Sequence, residues 1–423
     1  MKKYIGFKSI LQIMTVSLFL MLTACNKDIE APVPIPRPTQ ASTPTLATVL
    51  GGPNYTFLKA AVDRASLVPA TPTVAQQLAN PEFRFTVLAP DNDAFIASGI
   101  PSIDVINSLP VEQVYAIVQY HILPQIVPSA GLSSVAFPNL QYPTLLNPAP
   151  SVSPILRLTS FLSKNGVLND KDLYWANNIP IIERDIPVVN GMIHRVARVL
   201  MPPSQFLLEK INTDPGLTFF KAAIQRADKD VPAGRRIQDA LANIGANLTV
   251  FAPTDDAFKT FLIGAIRGYL LSNGVTDPAA TTQATQIVNF VGPTLFSNPE
   301  SIPGIGPDIA AIVTPTLAQG IVGYHILGAQ SGTFAPPGIR VFSVNIPAAS
   351  VNVKTLLNAA LSSHAGLTLS GNITEGFTVK GLINPTPANI IKTAPPALSS
   401  DLNYLNGVLH KIDQVLLPLP LSL

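Results

Sequence analysis

The chain has 423 residues, of which 47% are hydrophobic and only 12% charged. A chain this long and apolar buries sizeable cores, its length suits two or three domains, and its low charge excludes a disordered polyelectrolyte. The formal net charge of +2 leaves no excess of cations to neutralise a phosphate backbone, which excludes nucleic acid as an expected partner. The 41 prolines, spread along the whole chain, favour turns, loops and strand ends over long helices.

The first segment reads as a leader, residues 1–24. Lys2 and Lys3 are followed by an apolar stretch, residues 10–22, broken only by Gln12, Thr15 and Ser17. It falls short of the ~20 apolar residues of a membrane span and fits the central region of a signal peptide. It ends in Leu22, Thr23, Ala24 and Cys25, which resembles the lipobox of bacterial lipoproteins and implies cleavage before Cys25 and lipidation of its thiol. Cys25 is the only cysteine, so no intrachain disulfide exists and a lipid thioether gives this lone thiol a use. Each buried CH₂ of such an anchor contributes ~0.8 kcal/mol. Loss of Lys2, Lys3 and Lys8 with the leader takes 27 basic residues to 24 against 25 acidic ones, a side-chain charge of −1. Residues 26–30 (NKDIE) resemble the surface-export signal of Bacteroidetes lipoproteins. Pro32, Pro34, Pro36, Pro38 and Pro44 then favour an extended spacer of ~3.1 Å per residue. The expectation for residues 25–45 is a lipidated tether that holds the protein on the outer membrane, exposed at the cell surface.

The remainder repeats itself. Residues 55–65 (YTFLKAAVDRA) return as 217–227 (LTFFKAAIQRA), and residues 86–95 (TVLAPDNDAF) as 249–258 (TVFAPTDDAF). YHIL occurs at 120–123 and 324–327, TLLN at 144–147 and 355–358, and NGMIH at 190–194 answers NGVLH at 406–410. The offsets are 162, 163, 204, 211 and 216 residues, too long for a solenoid with its period of ~20–50. They define tandem domains, residues 46–204 and 205–423. The jump of 41 between the second and third offsets places an insertion in the second domain, about residues 259–323. That segment is expected to be ordered, largely helical, packed beside the strand ending at Phe251, and removable without loss of the fold.

In chain order, Phe57, Leu58, Ala61, Val62 and Ala65 recur at helical spacing. Residues 83–88 read as a strand ended by Ala89 and Pro90. Asp91 or Asn92 caps a helix from Asp93, with Phe95 facing inward. Residues 114–123 read as a helix ending near Tyr120 and His121. Asn190-Gly191 and Asn406-Gly407 signal tight turns, followed by closing strands over residues 192–200 and 408–417. Short strands mixed with short helices in each repeat make an α+β fold.

These boxes together resemble the FAS1 (fasciclin) domain family: Thr86, Pro90, Asp93 and Phe95 with Thr249, Pro253, Asp256 and Phe258 for the first; Tyr120 and His121 with Tyr324 and His325 for the central one; Asn190, Gly191 and His194 with Asn406, Gly407 and His410 for the last. The resemblance implies a wedge of β-strands packed with short helices in each repeat, and extracellular adhesion as the activity. It also places Tyr120-His121 and Tyr324-His325 in a region that some animal relatives use for receptor contact. Repeat one departs from the family pattern at Ala197 and Arg198, where an acidic and a polar residue are usual.

Catalytic patterns are missing from the sequence. The paired histidines His121, His325, His194 and His410 read as core residues bonded to backbone, and His364 as exposed and unpaired. A zinc site wants three or four ligands, and no second cysteine exists. Asp91, Asp93, Asp255 and Asp256 read as helix caps rather than acid–base pairs or calcium ligands. No cofactor is expected. The sequence thus points to a non-catalytic surface adhesion or binding lipoprotein whose partners are the membrane, through its lipid, and an extracellular protein or polysaccharide. Glycan capture or carbohydrate processing in the envelope is the alternative.

Overall fold

The computed structural model describes residues 44–132, 140–304, 306–328, 340–359, 361–393 and 398–418. Cys25, the leader and the proline-rich tether lie outside the described residues.

Repeat one opens with α1 (Leu46–Leu50), which Thr45 caps by accepting from Thr48 N–H. In α2 (Thr56–Ala65), Leu58, Ala61, Val62 and Ala65 form one buried stripe at helical spacing. A Thr73–Gln76 capping box starts α3 (Val74–Ala79). Strand β1 (Phe85–Pro90) is buried along its whole length. It begins and ends two residues later than the sequence suggested, because Ala89 and Pro90 still pair, with Arg195 and Val196. Asp91 caps α4 (Asn92–Ala97), and α5 (Ile103–Ser108) and α6 (Val111–Tyr120) follow. The chain then enters β2 (Ile122–Leu123), β3 (Leu140–Pro143), β4 (Thr159–Leu168), β5 (Lys171–Ala176), β6 (Ile179–Val188) and β7 (Gly191–Val196). These form one sheet in the order β2-β1-β7-β6-β5-β4-β3, antiparallel except for the parallel pair β1 and β7. Alternation along β1 sends Val87 into a core with Leu58, Val62, Phe95 and Ile193, and Leu88 to the opposite face with Tyr120, Leu162 and Leu200.

Repeat two follows the same order. It runs α7 (Leu207–Thr213), α8 (Thr218–Ala227), α9 (Ile237–Ala242), β8 (Leu248–Pro253), α10 (Asp255–Ser272), α11 (Asp277–Val291), α12 (Thr294–Ser297), α13 (Gly306–Ile312) and α14 (Pro315–Tyr324). Strands β9 (Ile326–Leu327), β10 (Val351–Val353), β11 (Leu367–Asn372), β12 (Gly376–Lys380), β13 (Ala388–Asn389), β14 (Leu402–Tyr404) and β15 (Gly407–Ile412) complete it. Here the sheet is in two parts, β14-β15-β8-β9 and β10-β11-β12-β13, because the counterpart of β6 is split into β13 and β14. The parallel pair recurs as β8 and β15, so the architecture is α+β in both repeats. Residues 44–423 form a single compact unit.

The expected insertion needs redrawing. α13 and α14 are the counterparts of α5 and α6, so the surplus is the extension of α10 together with α11 and α12. It is helical as expected, and α10 is long despite the proline-rich composition. It is also part of the core: Leu295 and Phe296 are fully buried, and Phe296 meets Phe258 edge-on at 5.5 Å. Among the described residues no helix is long and apolar enough to cross a membrane.

Candidate functional site: the repeated boxes and the junction

The parallel pairs lay the first and last boxes side by side, with Leu88 opposite His194 and Phe251 opposite His410. His194 Nε2 lies 2.8 Å from Val127 O and its Nδ1 3.1 Å from Asp185 N. Since the Asp185 N–H donates to Nδ1, the proton of the neutral ring sits on Nε2 and donates to the carbonyl. His410 repeats this with Val341 O at 2.8 Å and Asp401 N at 3.2 Å. The threonines hold the other side of the same loop: Thr86 Oγ1 accepts from Val127 N–H at 2.9 Å, and Thr249 Oγ1 from Val341 N–H at 2.8 Å. Two residues on, Ser129 N–H donates to Asp185 at 2.8 Å, and Ser343 N–H to Asp401 at 2.6 Å.

The central box is buried rather than displayed. His121 and His325 each donate from Nδ1 to the carbonyl four residues back, at 2.7 Å, and accept Leu200 N–H and Leu416 N–H on Nε2 at 2.9 Å. Burial pushes both rings down to about 4, and it lowers His194 and His410 as well. Those bonds also explain why β7 and β15 stop at Val196 and Ile412, short of residues 200 and 417. The following backbone is satisfied by side chains: Ser98 takes Val199 N–H, the histidines take Leu200 and Leu416, and Asn384 takes Leu417 N–H. Tyr120 and Tyr324 are fully buried, so neither Tyr-His pair offers a receptor surface. Tyr324 Oη donates to Gly366 O at 2.6 Å and accepts Leu382 N–H, and burial pushes it up to about 12.

A tight turn forms at each Asn-Gly pair, with the asparagine as its second residue and the glycine as the first residue of the next strand. The closing pairs are Val188 with Gly191 and Tyr404 with Gly407, so the two-residue turns are Val189-Asn190 and Leu405-Asn406. The glycines are required by close approach: a Cβ on Gly191 would lie 2.1 Å from Phe85 O, and one on Gly407 2.4 Å from Leu248 O. The asparagines are staples. Asn190 accepts Leu46 N–H and donates to Leu78 O and Asn80 O, and Asn406 accepts Leu207 N–H and donates to Leu241 O.

Asp93 and Asp256 are exposed first-turn carboxylates, Asp256 standing 3.5 Å from Lys259. The helix caps are the residues two positions earlier, Asp91 and Thr254. Asn92 and Asp255, between them, latch the starts of α2 and α8 by accepting from Thr56 Oγ1 and Phe57 N–H, and from Thr218 Oγ1 and Phe219 N–H. Pro90 and Pro253 end the parallel pairs, while Phe95 packs on Phe57 and Phe258 on Phe219. His364, expected to be exposed, is buried: it accepts Gly366 N–H on Nδ1 and meets Pro418 O at 2.9 Å and Tyr324 edge-on. Among the described residues no group of three or more histidine, cysteine, aspartate or glutamate side chains could hold a metal ion. The sequence reading missed Asp185 with Asp401, although their offset of 216 is that of the last box.

Residues 54–202 match the family described as Fasciclin domain. This segment is a fasciclin domain. The chain also aligns with the solved FAS1 domain pair of the insect cell adhesion molecule fasciclin I, at 16% identity over 85% of this chain and 95% of that one, with a TM-score of 0.31. Identity and score are too low for a partner or activity to carry over. No curated protein matches the chain.

The fasciclin domain meets the second repeat through a buried junction. Arg340 donates to Asn247 Oδ1 (2.9 Å), Asn403 Oδ1 (2.8 Å), Tyr404 O (2.9 Å) and Leu405 O (3.2 Å), and its guanidinium lies 4.8 Å from the ring centroid of Phe161 in the fasciclin domain. Burial lowers it to about 10, so it stays charged at neutral pH. Phe342 packs on Phe161 at 5.9 Å; Asn345 donates to Ser163 Oγ at 2.8 Å; Asn165 donates to Val344 O at 2.7 Å. Asn403 Nδ2 reaches Tyr120 Oη at 3.4 Å. Beside this junction opens a cleft of about 540 Å³, lined from both repeats and from the Pro202–Gln205 connection.

Proposed function

We propose that this protein is a non-catalytic adhesion or binding protein of the cell surface, held to the outer membrane by a lipid on Cys25. The observation that carries the reading is the use of the box residues. Each box histidine, threonine and asparagine spends its hydrogen bonds on backbone within its own repeat. Recognition then belongs to the surfaces, and the polar, aromatic junction presents both repeats in one orientation. Two modules on one chain raise avidity where one partner spans both. Carbohydrate hydrolysis is the poorer reading, since it needs paired carboxylates ~5–9.5 Å apart. Asp401 is the sole carboxylate among the residues lining the junction cleft, and Ser343 occupies both its oxygens. The test has two parts. Labelled fatty acid enters the wild type and not Cys25→Ser, and cells displaying the protein adhere to matrix-coated or glycan-coated surfaces better than cells lacking it. Labelling of Cys25→Ser overturns the anchor; equal adherence overturns the adhesive role.

A further inference from the structure

We propose that the cleft between the repeats is a binding site for a carboxylate-bearing sugar, with Arg198 as the group that takes the carboxylate. The argument starts from a difference at equivalent positions. Where repeat two has Asp413 and Gln414, repeat one has Ala197 and Arg198. In repeat two both side chains are spent on the fold: Asp413 accepts from Asn389 N–H and Nδ2, and Gln414 donates to Thr386 Oγ1 and Pro387 O. Arg198 is exposed on the cleft wall and, among the described residues, has neither ion pair nor hydrogen bond. It is a free planar cation on a concave surface, and a guanidinium grips a carboxylate with two parallel hydrogen bonds.

The rest of the lining selects the kind of molecule. The one carboxylate, Asp401, is buried and bonded to Ser343 through both oxygens, at 2.6 Å each, so it does not occupy Arg198. Asn178 and Gln205 present side-chain amides with no partner among the described residues. An amide both donates and accepts, which is what a row of sugar hydroxyls requires. Met201, 53% exposed, and Leu398, 44% exposed, supply apolar surface for the C–H face of a pyranose ring. The volume of about 540 Å³ lies in the ~300–1,000 Å³ range of small-molecule clefts. The walls are fixed relative to each other by the Arg340 and Phe161 contacts, so the site is preorganised. This inference is independent of the adhesive role, since a sugar-binding cleft serves adhesion and capture alike.

The experiment is calorimetric titration of the intact protein with a glucuronic-acid-containing disaccharide and with the matching neutral glucose disaccharide. The acidic sugar binds and the neutral one binds at least about tenfold more weakly, the loss expected for one charge-assisted pair. Arg198→Ala lowers affinity for the acidic sugar to the level of the neutral one, with an unchanged melting temperature because Arg198 holds nothing in the fold. Arg235→Ala, removing another exposed cation, changes nothing. Three outcomes overturn the proposal: no binding of the acidic sugar at millimolar concentration, equal affinity for both sugars, or an Arg198→Ala variant that binds like wild type. Loss of sugar binding in Arg198→Ala with cell adherence intact supports the cleft and separates it from the adhesive role.

Discussion

The loop that each closing histidine holds exists twice, as Ile126-Val127-Pro128-Ser129 in repeat one and Arg340-Val341-Phe342-Ser343 in repeat two. The valines and serines are shared, and they make the same bonds: valine to histidine and threonine, serine to aspartate. The residues that alternate with them differ, and in repeat two they build the junction. Arg340 and Phe342 pack on Phe161 of the other repeat. Duplication preserved the positions that hold a backbone. The alternating positions, which face outward from that backbone, were free to become an interface.

The insertion offers the harshest way to break the comparison. Excising residues 261–301 joins Thr260 to Ile302 as repeat one joins Ala97 to Ser98. The helix arginines show what goes wrong. Arg64 Nε donates to Leu109 O at 3.0 Å, and Arg226 Nε to Val313 O at 2.9 Å, the equivalent carbonyl. Arg226 is 2% exposed and also carries Glu300 of the insertion at 2.8 Å. Excision takes from Arg226 its carboxylate partner and removes the fully buried Leu295 and Phe296, and loss of core side chains of this size costs about 2–5 kcal/mol each. Repeat two is then expected to lose its fold while repeat one keeps it. Limited proteolysis with mass spectrometry shows this as rapid cleavage confined to residues after 205. A shortened protein with the wild-type melting temperature would mean that the insertion is an appendage after all.

Acid is the next largest perturbation, and here the repeats should behave alike. His121 and His325 fall from an ordinary value of 6.5 to about 4 when folded. Between those values the unfolded chain binds more protons than the folded one, so this stability is complete above about pH 6.5 and is lost as pH falls toward 4. The linkage is worth up to about 3 kcal/mol per ring. His194 and His410 shift in the same direction and add to it. Denaturant midpoints measured from pH 7.5 to 4 should fall steeply through this window. A flat profile would mean that the rings tolerate protonation where they sit.

Much of this was legible in the sequence, and the parts that were not have a common cause. Blocks in fixed order identified two repeats, their α+β character and the inward-facing Phe95. What a sequence does not print is which chain passes alongside. Asn-Gly read locally is a turn; in three dimensions Gly191 also makes room for Phe85 O, and Asn190 reaches Leu46 and Leu78. His364 looked free for want of a repeated partner, yet Pro418, distant in sequence, covers it. The insertion looked removable because the boxes are complete without it, and only packing shows that Phe258 had recruited Phe296. The cleft needed both repeats in place before Arg198 became more than a departure from pattern.

Gly191→Ala and Gly407→Ala sharpen the comparison at about 3 kcal/mol or less each. The added methyl meets main-chain oxygen, which no side-chain rotation relieves, and overpacking of this kind typically costs about 1–3 kcal/mol. The approach is closer at Gly191, 2.1 Å against 2.4 Å, so Gly191→Ala should lower the urea midpoint more. An undiminished midpoint in either variant would mean that the parallel strands can separate slightly at no cost.

The smallest effect tests the asparagine staples, and it turns on a count of bonds. Asn190 accepts Leu46 N–H at 2.8 Å and donates to Leu78 O at 2.8 Å and Asn80 O at 3.0 Å. Asn406 accepts Leu207 N–H at 3.1 Å and donates to Leu241 O at 2.8 Å. Both side chains are fully buried, so replacement by alanine leaves main-chain groups without a partner. Each lost bond is worth about 1 kcal/mol net. Asn190→Ala should therefore be the more destabilising of the two by about 1 kcal/mol, read as a difference in free energy of unfolding in urea. Hydrogen exchange adds the location: the amides of α1 should lose protection in Asn190→Ala, and those of α7 in Asn406→Ala. Protection lost throughout the sheet would show that the staple holds the parallel strands together and not only the opening helix.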